Sequence, residues 1–457
     1  MKIQTFDDDL FDLQPFALRL WRFMKVEHQF VEGSLVLALC SKFGSGKTTF
    51  FNMWRSYLEN MNNADKRPLV VSLNAWESDY YGDPLFAIVS SLIESMKPEM
   101  KEQAGRIKEA AKDIGSFATA IGNQLVVKST GIDIGEAGRQ AQENKSEREK
   151  KGHPDLSSFS LFESRKSAMK KLKEQIKEFV ETSEPMVVFL VDELDRCRPD
   201  YAISYLETIK HIFDMQGVAF VLAIDRTQLE NSAKTAFGTE LDFDEYIRKF
   251  VHRQVTLPPL VEEDYKKIAI QYVDDYLNVQ GLRKSGIKLE ASQISDISEL
   301  TSKLRLTPRQ IKEVFKIIGH STESASSSDF LLPQMRSFGI ILMAVLKVGD
   351  PQKYELIGNQ NFDPIQAMNY CKNELEFFNP DWWLTVLLAG GGLKRDESES
   401  DKSILVKVGI LKTEEDHDYQ RTRTIDTFKH SWGHSPFDRL PKTYAMIEQC
   451  TGWLPVT

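Results

Sequence analysis

Five short apolar runs punctuate the first 260 positions of the chain: Leu35 to Cys40, Pro68-Leu-Val-Val-Ser-Leu73, Met186-Val-Val-Phe-Leu-Val191, Val218 to Ile224 and Val255-Thr-Leu257. Each is rich in branched residues, unbroken by polar alternation and bounded by polar or helical sequence. That pattern predicts mostly parallel strands buried on both faces. The stretches between them change period. Phe50, Trp54 and Leu58 recur at three-to-four spacing, as do Met169, Leu172, Ile176 and Phe179, which predicts helices with one apolar stripe turned to a sheet. The expected fold class is therefore α/β, with a core from about Phe16 to Pro259.

Beyond Pro258-Pro259 the pattern turns helical, with Glu262 to Leu277, Ser298 to Lys303 and a helix behind Thr307-Pro308-Arg309, where a Thr cap precedes Pro at the first helical position. Ser321 to Ser328 reads as a linker. An apolar helix near Phe338 to Leu346, the pair Trp382-Trp383, and an exposed loop marked by Gly390-Gly-Gly392 and the charged run Arg395 to Lys402 fill the last part. The expected division is 1–259 for the core, 260–320 for a helical lid-like subdomain and 330–457 for a mostly helical partner or assembly domain. Within the core, about 97–184 forms a polar helical insertion. It carries Glu143 to Lys151 and then a lysine-rich helix, Ser167 to Val180, whose lysines face outward and read as a solvated face rather than a nucleic-acid patch.

Composition narrows the class further. At 457 residues and 41% hydrophobic content the chain affords two or three units with real cores. A net charge of -9 lacks the overall basic field of a protein that depends on non-specific DNA contact, so nucleic acid stays a partner that charge does not indicate. Cys40, Cys197, Cys371 and Cys450 have no paired spacing, which argues against a zinc cluster or disulfide framework and points to a reducing cytoplasm. No transmembrane segment is expected. Ile114 to Ile134 is interrupted by polar residues, leaving only peripheral membrane contact open, and Phe338 to Val348 is too short to span.

The candidate chemistry begins after the first apolar run. Ser41-Lys42-Phe43-Gly44-Ser45-Gly46-Lys47-Thr48-Thr49 stands between a strand and a helix, where backbone N–H groups surround a β-phosphate, Lys47 reaches the β and γ oxygens and Thr48 offers its hydroxyl to Mg²⁺. Ser41 occupies the place of the usual first glycine. The third run ends in Asp192-Glu193, putting Asp192 beside the loop as the Mg²⁺ acid and Glu193 as the group that orients and deprotonates water. The fourth run ends in Asp225, a sensor acid or a plain helix cap. Arg309 is the candidate to fold back over the γ-phosphate, with Arg196, Arg226, Arg248 and Lys249 as other sources of positive charge. In Asn74-Ala-Trp76-Glu77, Trp76 reads as packing ahead of a base contact, and Glu77 as a polar neighbour of the site. His417, His430 and His434 lack metal-ligand spacing.

Together, Phe43 to Thr49, Asn74-Ala-Trp-Glu77 with Asp83-Pro84-Leu85, Val191-Asp-Glu-Leu-Asp-Arg-Cys197, Ala223-Ile-Asp-Arg226, Phe243 to Phe250 and Thr307-Pro-Arg309 resemble the KAP family of P-loop NTPases over roughly residues 14 to 320. The resemblance implies the additional-strand P-loop class, an ATPase with ATP and Mg²⁺ as cofactors, and catalytic roles for Glu193, Lys47, Asp225 and Arg309. Many members carry transmembrane helices between the two nucleotide motifs; here that position holds the polar excursion, so the chain resembles soluble, bacterial, phage-excluding members. Hydrolysis is then expected to drive a conformational or assembly switch in anti-phage defence, with further copies or a separate effector protein as partner. Two alternatives stay open at this level: a nucleotide-gated scaffold with little turnover, and a DNA-stimulated ATPase or nucleic-acid sensor.

Overall fold

The computed structural model describes residues 3–61, 67–114, 158–183, 185–273, 291–325, 334–377, 379–396, 398–415 and 439–452. Two units emerge from the density of contacts. The first comprises Ile3–Lys42 and Lys47–Pro258; the second comprises Pro259–Thr457 together with Phe43–Gly46 and Met1–Lys2.

In the first unit the apolar runs become strands β1 (Leu35–Cys40), β2 (Leu69–Asn74), β3 (Val187–Asp192), β4 (Val218–Ile224) and β5 (Arg253–Thr256). All pair in parallel, in the order β2-β3-β4-β1-β5. Strand β4 is thus inserted between β1 and β3, and every one of its seven residues is buried. The first unit is thus an α/β core whose parallel sheet has an additional strand between β1 and β3, and helical regions follow it.

Strand side chains alternate between two cores. Leu35, Leu37, Leu39, Val188, Leu190 and Val221 meet helices α1 (Gln14–Glu27) and α2 (Lys47–Glu59) through Leu20, Trp21, Phe50 and Trp54. Val36, Ala38, Phe189, Val191, Phe220 and Leu222 face the other layer. There the Phe189 and Phe220 rings stack with centroids 4.4 Å apart. That layer contains α4 (Pro84–Ser95), α5 (Ser158–Glu181) and α6 (Pro199–Ile212), with α3 (Ala75–Asp79) at its edge. Helix α5 buries Leu172, Ile176 and Phe179. Lys170 and Lys177 lie outside, each 3.7 Å from a glutamate one turn on. Of the 97–184 excursion, 115–157 and 184 lie outside the described residues. Helices α7 (Arg226–Phe237) and α8 (Phe243–Ile247) follow β4.

The second unit contains α9 (Glu262–Tyr272), α10 (Ala291–Lys303), α11 (Pro308–Ala325), α12 (Gln334–Gly349), α13 (Pro351–Gly358), α14 (Pro364–Asn369), α15 (Pro380–Ala389), α16 (Asp401–Lys407) and α17 (Arg439–Thr451). Thr307 starts α11 as a reciprocal cap: its N–H and hydroxyl meet Gln310 Oε1, at 2.9 and 3.0 Å.

Two expectations are corrected here. The supposed linker from Ser321 is helical through Ala325, because the stripe of Ile311, Val314, Phe315 and Ile318 continues one turn and carries Ser321 into the interior. Gly390 and Gly392 are buried rather than exposed: a Cβ at Gly390 would stand 2.6 Å from Leu440 Cδ1, and one at Gly392 would stand 2.7 Å from Ile357 Cγ2. These glycines allow α13, α15 and α17 to approach closely. Residues 274–277, 326–328 and all three C-terminal histidines fall outside the described residues. Among the described residues, no helix is long and apolar enough to cross a membrane.

Two histidines tie this frame together as neutral acceptors. His28 Nε2 accepts the Gly217 N–H at 3.0 Å, and His252 Nδ1 accepts the Val36 N–H at 3.1 Å. Burial lowers the pKa of both. A depressed folded pKa means that the unfolded chain binds more protons, so this contribution is complete above about pH 6.5 and is lost as pH falls toward the folded values. A His28→Gln/His252→Asn variant should therefore show a flatter stability profile than the parent between about pH 7 and 5, as measured by urea unfolding.

Candidate functional site

The loop between β1 and α2 sits at the carboxyl ends of the strands, where parallel sheets bind ligands. Gly44 and Gly46 adopt φ of 79° and 99°, a left-handed conformation open to glycine at no steric cost. A Cβ built on Gly46 meets nothing within 4 Å, so the space before the loop is open. Ser41 has no positive φ, and its N–H donates to Ile224 O at 3.1 Å, which is why a serine serves in place of the usual glycine. The loop tip Phe43–Gly46 groups with the second unit, and within that unit the Arg309 guanidinium lies 4.2 Å from the Phe43 ring centroid.

Lys47 opens α2 with its ammonium folded back, donating to Ser41 O at 2.6 Å and Lys42 O at 3.3 Å. Asp195 Oδ2 lies 4.0 Å from the same ammonium, both side chains being almost fully buried. The next residue, Thr48, has its hydroxyl near enough to the Asp192 carboxyl to favour the ionised acid. Burial raises the Asp192 pKa, with the Thr48 hydroxyl and the Glu193 N–H opposing it and the charges of Glu193 and Asp195 adding to it. Asp195 is likewise raised by burial, against its hydrogen bond from the Asp225 N–H and the charge of Lys47.

Strand register brings a third element in. Asn74, at the end of β2, pairs opposite Asp192 at the end of β3. Its Oδ1 accepts the N–H groups of Trp76 (3.1 Å) and Glu77 (3.3 Å), capping α3, while its Nδ2 donates to Glu77 Oε1 and to Glu193 Oε2, both at 3.2 Å. Glu193 itself is left-handed, with φ 60° and ψ 25°, a strained state of the kind concentrated at functional sites. Its other oxygen is 3.2 Å from Arg196, whose guanidinium lies 5.5 Å from the Trp76 ring centroid. The Glu193 carboxylate is thus held between Asn74 and Arg196.

The structure brings Lys47, Thr48, Asp192, Glu193 and the Asp225 backbone together. The Asp225 side chain caps α7 by accepting the Thr227 N–H at 3.1 Å. Arg226 is engaged with Asp244 at 2.6 Å, and Arg248 and Lys249 are exposed. Trp76 is half exposed rather than packed, because α3 is a single turn at the sheet edge and turns it outward beneath Arg196. Sequence reasoning assigned no role to Asp195 and did not connect Asn74 to Glu193. Asp195 lies three residues past Asp192, and the single 3₁₀ turn Leu194–Arg196 points it back at Lys47; a second acid at that spacing was the available signal.

The residues present fit a nucleotide phosphate and Mg²⁺. Ser45 Oγ is buried with no hydrogen-bond partner among the described residues, the Lys47 ammonium rests on carbonyls that a phosphate would replace, and Thr48 with Asp192 forms a hydroxyl–carboxylate pair of the oxygen type Mg²⁺ requires. No cluster of three or more His, Cys, Asp or Glu suited to a metal occurs among the described residues.

The model of the KAP family P-loop domain matches residues 15–324. No curated protein sequence matches the chain. Among solved structures, similar chains include the ORC2 protein of Aeropyrum pernix in ADPNP–ADP complexes (13% identity, 96% of this chain and 95% of that one, TM-score 0.35). Another is the ORC1 protein of the same organism in complex with DNA (11% identity, 97% and 83%, TM-score 0.33).

Replacing Lys47 by Ala should weaken ATP binding by about 10- to 100-fold, the loss of a charged hydrogen bond worth ~1.5–3 kcal/mol, measured by titration calorimetry.

Proposed function

Because the chain belongs to the KAP family of P-loop NTPases, we propose that it binds ATP with Mg²⁺ and hydrolyses it to drive a conformational or assembly switch. The observation that carries this reading is the position of Glu193: adjacent to the Thr48–Asp192 pair, ionically tethered, and strained. Residues Phe43 to Thr49 would cradle the phosphates, and Thr48 and Asp192 would hold the metal. Bound Mg²⁺ supplies neutralising charge for the β and γ oxygens.

The chain's own residues do the rest. Lys47, released from the carbonyls of Ser41 and Lys42, turns to the phosphates while Asp195 keeps a counter-charge beside it. Glu193 acts as the base that orients water and accepts its proton. In the geometry described it is held by Asn74 and Arg196, so turnover requires that the clamp open. That requirement makes hydrolysis responsive to whatever moves α3, the short helix that Asn74 caps.

The same clamp gives specific support to the second reading, a nucleotide-gated scaffold with little basal turnover. A role in bacterial anti-phage defence, with further copies or a separate effector as partner, rests on the family resemblance alone. The DNA-stimulated alternative is tested by adding DNA to the turnover assay.

Two variants separate the readings. Glu193→Gln should keep ATP binding and lose turnover by about 10²- to 10⁴-fold in a phosphate-release assay. Unchanged turnover would remove Glu193 from the base role. Asn74→Asp keeps the cap acceptor but replaces the donor to Glu193 with a like charge. Basal turnover should rise about fivefold, the equivalent of ~1 kcal/mol for one lost hydrogen bond.

A further inference from the structure

Strand β2 is the outermost strand at its end of the sheet. Its Leu69 N–H donates to Met186 O at 3.2 Å, on the β3 side. Because backbone groups alternate sides along a strand, Val71 and Leu73 also face β3, and the N–H and C=O groups of Val70 and Ser72 point the other way. No partner for those outward groups occurs among the described residues. An open edge of this kind is a template for one more strand.

The edge is not bare surface. It forms one wall of a cavity of about 390 Å³ lined by Val70 and Ser72, by Arg55 and Glu59 of α2 and by Glu94 of α4. A second cavity of about 340 Å³ continues toward the start of β2, lined by Leu69 and Val70, by the cations Arg67 and Lys97 and again by Glu59. The strand therefore lies along a trough between two helices, with room for a single extended chain about 4.8 Å from β2. A second copy of this protein would bring its own α2 and α4 against the same walls. The trough is also polar lengthwise: Arg67 and Lys97 stand at the start of β2 and Glu94 flanks its middle, while Glu59, which borders both cavities, is neutralised by Arg55 at 2.8 Å.

We propose that the β2 edge is a docking site for an extended segment of a partner protein, added as a sixth strand. The segment hydrogen-bonds to Val70 and Ser72 and carries an acidic side chain opposite Arg67 and Lys97 and a basic one opposite Glu94. Backbone pairing supplies affinity and the two charges set register. The inference stands on the sheet edge alone and does not depend on ATP turnover.

The test is selection of a displayed library of random peptides, each about ten residues long, long enough to cover the roughly 20 Å of β2, on the full chain. The expected result is an enriched family with alternating β-branched residues and one acid and one base at a fixed separation. A synthetic member should slow hydrogen exchange at the Val70 and Ser72 amides. Ser72→Pro removes one outward donor at an edge position that tolerates proline and should cost about tenfold in affinity. Glu94→Lys, on an exposed helix face, should exchange the enriched base for an acid while leaving the fold intact. No enriched family, or peptides indifferent to both variants, would overturn the proposal. So would a dimer in light scattering that Ser72→Pro dissolves, because the occupant would then be a second copy.

Discussion

The burial of β4 between β1 and β3 is the constraint on which the site depends. Two strand spacings set the loop-bearing strand and the acid-bearing strand about 10 Å apart, too far for direct contact between their backbones. That gap is spanned by side chains from the first turn of α2: Lys47 toward Asp195, and Thr48 to Asp192. All seven residues of β4 are buried, and the Phe189–Phe220 stack locks it to β3. A shift of either neighbour by one residue would exchange the side chains of the two cores and pull Phe189 off Phe220, so hydrophobic packing fixes the register that the chemistry requires.

Within that frame the electrostatics are arranged around a shortage of positive charge. Asp192, Glu193 and Asp195 lie within four residues, and burial disfavours ionisation of Asp192 and Asp195. Arg196 offsets Glu193, and Lys47 sits beside Asp195. Added cationic charge from Mg²⁺ would change the balance for all three acids together, and the turning of Lys47 toward a phosphate would draw positive charge away from Asp195. This is a physical basis for coupling ligand binding to the position of Glu193. The backbone strain at Glu193 belongs to the same arrangement, since a left-handed glutamate persists only where surrounding contacts determine it.

Much of the fold was legible because β1, β3 and β4 are buried on both faces and so read as unbroken apolar runs, and β1 to β4 match those runs closely; β5, expected to be buried like the rest, is mostly exposed because it closes one edge of the sheet. The loop was legible for a different reason, since Gly44, Gly46, Lys47 and Thr48 are each demanded by phosphate geometry. What stayed hidden depends on adjacency that no single segment states. The Asn74 contact with Glu193 exists because β2 lies beside β3, and strand order is not written in either run. Gly390 and Gly392 read as loop residues because glycine signals both turns and close approach, and only the presence of Leu440 and Ile357 decides between them. Ser321 was misread because a run of small polar residues outweighed an apolar period that still had one turn to run. Trp76 was misplaced because a large aromatic is buried on average, and a single turn at the sheet edge overrides that average.

The most direct test of the central claim is single-turnover hydrolysis of γ-labelled ATP by the full chain in excess over nucleotide, with and without Mg²⁺. The account predicts labelled phosphate released in a single phase that requires Mg²⁺. ATP that stays bound and intact through the same interval, with Mg²⁺ present, would contradict it and leave the site as a binding switch without chemistry.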